Sequence, residues 1–165
     1  MGPSTIAGHA SFAVRRTKRT TPIPAEARRR REPRARAIVR GVPWLVIFVG
    51  GGLGAMLRYG FGGLVQRAIG SFFPWGTFVV NASGCLAIGI LATLLEERSL
   101  LGPSWRLFLL VGVLGGYTTF SSFGLETWRL VETGDWLRAA ANAGGSVALG
   151  LGAVACGVAL ARLAP

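Results

Sequence analysis

Charged residues along this chain are spaced so as to leave four long apolar runs. Residues 42–66 carry one charge, Arg58, in 25 positions, and residues 68–95 carry none in 28 before Glu96, Glu97 and Arg98 close the run. A third uncharged run, residues 107–125, lies between Arg106 and Glu126, and a fourth, 139–161, between Arg138 and Arg162. A bilayer core of about 30 Å takes about 20 helical residues to cross. The pattern predicts an all-α membrane protein with four transmembrane helices, near 43–64, 76–95, 107–131 and 138–161. The connections, Gln66 to Trp75, Glu96 to Trp105 and Glu132 to Asp135, are too short to hold a soluble catalytic domain.

Trp44, Trp75, Trp105, Trp128 and Trp136 all fall near the ends of these spans, where indole rings favour the membrane interface. Composition agrees: 51% of the 165 residues are hydrophobic, 15% are charged and the mean hydropathy is +0.49. The net charge of +11 points at first to a nucleic-acid binder. Eleven basic residues, however, lie in residues 1–40 against only Glu26 and Glu32, so this segment carries +9 and the remainder +2. The basic character belongs to a tail, and no nucleic acid is expected as partner. Residues 1–40 read as a disordered basic tail that meets anionic lipid headgroups and orients the first helix. The first apolar run continues into Arg58-Tyr59, so it reads as a retained span and not as a signal peptide. Cys85 and Cys156 lie inside spans without a CxxC partner and read as small buried hydrophobes. His9, the single histidine, is in the tail, which leaves the spans without a histidine base or ligand.

Polar groups at membrane depth are costly and therefore informative. In the first span, Gly50 and Gly54 permit close helix contact, and Arg58 places a permanent charge one turn further on. The stretch Val46–Ala55 also fits a dinucleotide-binding fingerprint, but that motif needs an acid about 20 residues on. No Asp or Glu occurs between Glu32 and Glu96, which excludes it. In the second span, Asn81 puts an amide into an uncharged helix, as a donor to an anion or as a bridge to a neighbouring helix. In the third, Gly115-Gly116-Tyr117-Thr118-Thr119-Phe120-Ser121-Ser122-Phe123 combines helix-weakening glycines with hydroxyls and two phenylalanines on one face. A break there frees backbone carbonyls that can bind a small cation, while half-helix N-termini and aromatic ring edges favour anions. A Ser/Thr packing face is the plainer alternative. In the fourth, Asn142, Ser146 and Gly150 form one stripe, for helix contact or for an aqueous path.

Gly-x-x-x-Gly-Ala-x-x-Arg-Tyr, then Gly-Thr-x-x-Val-Asn-x-x-Gly, then Gly-Gly-x-Thr-Thr-Phe-Ser-x-Phe, in this order and spacing, resemble the CrcB/Fluc fluoride channel family over residues 44–162. The resemblance implies a fluoride channel of the bacterial inner membrane that exports fluoride passively, working as an antiparallel dimer with two pores, a broken third helix and a central sodium ion. It implies Asn81 as pore amide, Phe120 and Phe123 as pore aromatics, and Ser121, Ser146 and Thr119 as polar groups of the fluoride pathway. Sodium would rest on the backbone carbonyls of Gly115 and Thr118, and Arg58 would serve the vestibule or its packing. Asn142 joins the pathway where many members have a tyrosine, and Gly124 replaces a frequent serine. No carboxylate is expected on the path. The loop charges beyond Gly41 are sparse and mixed, which suits the same chain inserting both ways, but a +9 tail should hold the N-terminus in the cytoplasm. The expectation is therefore an oppositely oriented paralogue as second subunit, or the same chain with the tail absent from the mature protein, set among membrane lipids. The rival class is a non-conducting membrane-anchored adaptor whose tail binds lipid or nucleic acid.

Overall fold

A computed structural model describes residues 25–97 and 101–164, with side chains within 43–95 and 101–164. The chain divides into Met1–Arg36 and Ala37–Pro165, and the second unit holds all four spans. Among the described residues all regular structure is helical: α1 (Ala25–Ile69), α2 (Trp75–Glu97), α3 (Pro103–Arg106), a π-helical stretch Leu107–Leu114, α4 (Gly115–Tyr117), α5 (Phe120–Glu132) and α6 (Trp136–Leu163). Segments long and apolar enough to cross a membrane are Pro43–Ile69, Trp75–Leu95, Pro103–Glu132 and Trp136–Leu163, within five residues of the expected bounds. Helix α1 begins at Ala25, so residues 25–40 are helical where the charge pattern reads as disordered tail. Alanine, glutamate and arginine, which dominate that stretch, are strong helix formers. Residues 1–24, with His9, lie outside the described residues.

Turn chemistry sets how the helices fold back. Gly70 ends α1 at φ 119°, a conformation that side chains other than glycine's resist. Gln66 then holds the turn, donating to the carbonyls of Gly70 (2.6 Å) and Phe73 (2.9 Å) and accepting from the N–H of Gly76 (2.9 Å). Between α5 and α6, Gly134 (φ 75°) reverses the chain and Asp135 caps α6, its carboxylate accepting from the Arg138 N–H at 3.2 Å.

Small residues let the spans meet backbone to backbone. A methyl group on Gly50 would stand 2.8 Å from the Phe108 carbonyl oxygen, and one on Gly54 would overlap the Val113 carbonyl, so α1 lies against the first half of the third span. Helix α2 packs on α6 where Gly89 meets Val154 and Gly157. Small residues are the expected contact surface inside a bilayer, where burial of apolar area between helices gains nothing over lipid. Large apolar side chains instead face outward, among them Phe48, Met56, Leu137 and Leu151. Trp44, Trp105, Trp128 and Trp136 are exposed near span ends as expected. Trp75 differs: it is half-buried in a cluster with Phe72, Phe73 and Phe78. Cys156 is exposed on α6 and not buried, because the packed face of α6 runs through Gly157 instead.

Candidate ion pathway

The third span is interrupted at Thr118 and Thr119, both extended (ψ 157° and 119°), which separates α4 from α5. Asn81 of α2 holds the interruption. Its Nδ2 donates to the Thr119 carbonyl at 3.0 Å and its Oδ1 accepts from the Thr119 N–H at 2.8 Å. The Thr119 hydroxyl caps α5 by accepting from the Ser122 N–H at 3.2 Å. In an unbroken helix those two N–H groups would serve the carbonyls four residues earlier. The donors lost to Gly115 and Thr118 are therefore the ones taken by Asn81 and by the cap. These carbonyls suit a small hard cation bound by neutral oxygens. Among the described residues no cluster of His, Cys, Asp or Glu offers a metal site of another kind.

A cavity of about 350 Å³ opens at this break. Asn81, Gly115, Thr118, Thr119, Phe120, Phe123 and Ser146 line it, together with Cys85 and apolar residues of α2, the π-helical stretch and α6. Seven of the residues singled out by sequence thus come together in one place, and none of the lining residues is charged. The Phe120 and Phe123 rings stand 5.4 Å apart, tilted by 45°. Ser146 Oγ is buried without a hydrogen-bond partner, a costly state for a hydroxyl that nothing in the fold satisfies. Phe120, 83% exposed, and Gly115 and Ser121, also exposed, leave the site open on one side of the chain.

Three expected residues lie elsewhere. Ser121 is beside the cavity, its hydroxyl 3.3 Å from that of Thr119. Asn142 is 1% exposed and lies outside the lining: its Nδ2 donates to Thr127 Oγ1 of α5 at 2.8 Å. Further along α6, Ser146 faces the cavity and Gly150 faces Cys85. Arg58 lies in a second cleft of about 270 Å³, with Tyr59, Gln66, Thr77 and Glu126.

That second cleft was not legible in the sequence. Thr77 donates to Glu126 Oε1 at 2.7 Å, and Glu126 Oε2 is buried without a partner. In the linear pattern Glu126 only marks the end of an uncharged run. Its place one turn beyond Phe123 was the available signal, since residues three apart share a face. Thr127 was missed for the same reason, and the Ser83 to Tyr117 hydroxyl contact (2.9 Å), which joins α2 to α4, has no sequence mark at all.

A family model described as CrcB-like protein, Camphor Resistance (CrcB), matches residues 45–158. The chain belongs to the CrcB-like family. Its match to this CrcB-like model reaches from the first span into the fourth and leaves out the basic tail. A protein of Solibacter usitatus named Fluoride-specific ion channel FluC is 52% identical over 119 residues, which are 72% of this chain and 98% of that protein. Fluoride-specific ion channel FluC 2 of Nitrobacter hamburgensis is 47% identical over 119 residues, covering 72% and 96%. A Chloroflexus aurantiacus protein named Fluoride-specific ion channel FluC is 48% identical over 118 residues, covering 72% and 94%.

Proposed function

We propose that this chain is the subunit of a fluoride-selective channel, a multi-pass protein of the bacterial cell membrane that lets fluoride leave the cytoplasm passively. The observation that carries the reading is the neutral cavity at the helix break, in which the Ser146 hydroxyl is buried with no protein partner. Fluoride is small and strongly hydrated, so a path must replace its water with close donors. Hydroxyls, an amide and aromatic ring edges are such donors, and because they carry no full charge they release the ion as readily as they accept it. Asn81 retains one amide hydrogen beyond the bond it makes to Thr119. As a channel, the protein makes and breaks no covalent bond and is not an enzyme.

One chain leaves the path open along Phe120, Ser121 and Gly115, which supports a second subunit laid over it in antiparallel orientation. The Gly115 and Thr118 backbone carbonyls, left without their helical donors at the break, would hold a sodium ion, which would tie the broken span together as a structural cation. Arg58, in its separate cleft, draws anions toward the path. Lipids cover the remaining apolar belt.

Purified protein in liposomes loaded with sodium fluoride, read with a fluoride electrode, tests the function. Fluoride efflux well above that of empty vesicles, with chloride retained, is expected. Absence of fluoride efflux with sodium present would refute the assignment. Replacing sodium by N-methylglucamine should lower the melting temperature of the assembly, and an unchanged value would remove the cation from the account.

A further inference from the structure

Asn142 sits one turn before the cavity-lining Ser146 on α6, yet it is buried outside the cavity wall and hydrogen-bonds to α5. Its Nδ2 donates to Thr127 Oγ1 at 2.8 Å, and Thr127 Oγ1 donates in turn to the Phe123 carbonyl at 2.8 Å. A directed chain of donors therefore starts on α6 and ends on the backbone of a cavity-lining aromatic residue. A threonine hydroxyl in a helix bonds its i−4 carbonyl unaided. A second donor arriving on the same oxygen fixes the rotamer and strengthens the bond it makes.

Eight residues before Thr127, Asn81 of α2 grips the backbone of Thr119. Two amides from two different helices thus bracket the stretch of α5, roughly 12 Å long, that carries Phe120 and Phe123. Thr127 follows Phe123 by four residues, so the two lie on one face of α5. A bond from that face into α6 sets the rotation of α5, and with it the direction of both rings. Inside a bilayer, where apolar contact alone does not fix helix rotation, such a bond has few substitutes.

We infer that Asn142 is a positioning residue: through Thr127 it fixes the rotation of α5 and so the placement of Phe120 and Phe123, without touching the ion. This rests on the fluoride-channel reading. The test uses full-length protein in liposomes, with fluoride and chloride efflux measured for wild type, N142L, T127V, T127S and the N142L/T127V double variant. Removing either member of a buried hydrogen bond should lower fluoride efflux roughly tenfold, with the fluoride-to-chloride ratio falling alongside as the rings shift. The double variant should be no worse than the poorer single one, because both remove the same chain, and T127S should restore nearly wild-type efflux. Wild-type efflux in N142L overturns the inference. So does loss in N142L with T127V unaffected, which would put Asn142 on the ion itself. If N142L does not purify as a monodisperse species, T127V against T127S decides, and equal efflux from those two overturns it. A wild type without fluoride efflux overturns the channel reading beneath it, which separates the two failures.

Discussion

Helix α2 lines two cavities of opposite chemistry. Asn81, Gly84 and Cys85 face a space whose other walls are hydroxyls, phenyl rings, backbone and the aliphatic side chains of Leu110, Leu114 and Val147, all neutral. Gly76, Thr77 and Val80 face a cleft that holds Arg58 and Glu126, a cation and a carboxylate within one small volume. Polar groups in the neutral cavity organise backbone: Asn81 and the Thr119 cap keep the third span broken. Polar groups in the charged cleft organise the helix ends around them: Gln66 holds the α1–α2 turn and Thr77 ties α2 to α5 through Glu126. The contrast teaches where charge is tolerated. A fixed charge beside a passing ion traps or repels it, whereas charges set apart from the narrow path act over distance and can be screened.

The strongest way to break this contrast is Asn81→Ala. It removes two hydrogen bonds that hold Thr119, each of about 1–3 kcal/mol when buried, so fluoride efflux should fall about a hundredfold or more and should not recover at any salt concentration. Efflux near wild type would show that the break stands without its amide. Next comes Gly84→Val, since even a methyl group there overlaps the Thr118 methyl and would stand 3.3 Å from the Tyr117 ring. We expect roughly tenfold less efflux and a lower melting temperature, of the size that overpacking by about 1–3 kcal/mol produces. Arg58→Ala acts on the cleft instead. Electrostatic attraction of fluoride weakens, so efflux should drop only about threefold at low ionic strength and match wild type at high salt. A salt-independent loss would move Arg58 from the cleft's account into the path. The smallest effect belongs to deletion of residues 2–40, which removes neither cavity. Efflux should be unchanged, and its loss would revive the adaptor class.

Much of this was readable from composition along the chain. Four spans followed from the apolar runs, because hydrocarbon admits only helices that satisfy their own backbone and are long enough to cross. The break was foreshadowed by Gly115-Gly116 and the hydroxyl run, although its place, two residues wide at Thr118–Thr119, was not. Nor was the π-helical stretch Leu107–Leu114, whose eight apolar residues fit an ordinary helix equally well. Asn142 was read as a pathway group because its spacing to Ser146 puts both on one stripe. A stripe on α6 is wide enough to touch both α5 and the cavity, and spacing alone does not say which member meets which.

Sequence by itself determined the environment of this protein, the number of spans, and the residue types able to meet a hydrated anion without charge. These are properties of segments, set by the transfer of each side chain between water and hydrocarbon. Tertiary structure decided the partners: Asn81 with Thr119, Thr77 with Glu126, Asn142 with Thr127. Each of these pairs joins residues from different spans, so it depends on helix rotation and on the close approach that Gly50, Gly54, Gly89 and Gly157 allow. Those are three-dimensional quantities with no counterpart in linear spacing. For the same reason the neutral cavity and the charged cleft separate only once the chain is folded.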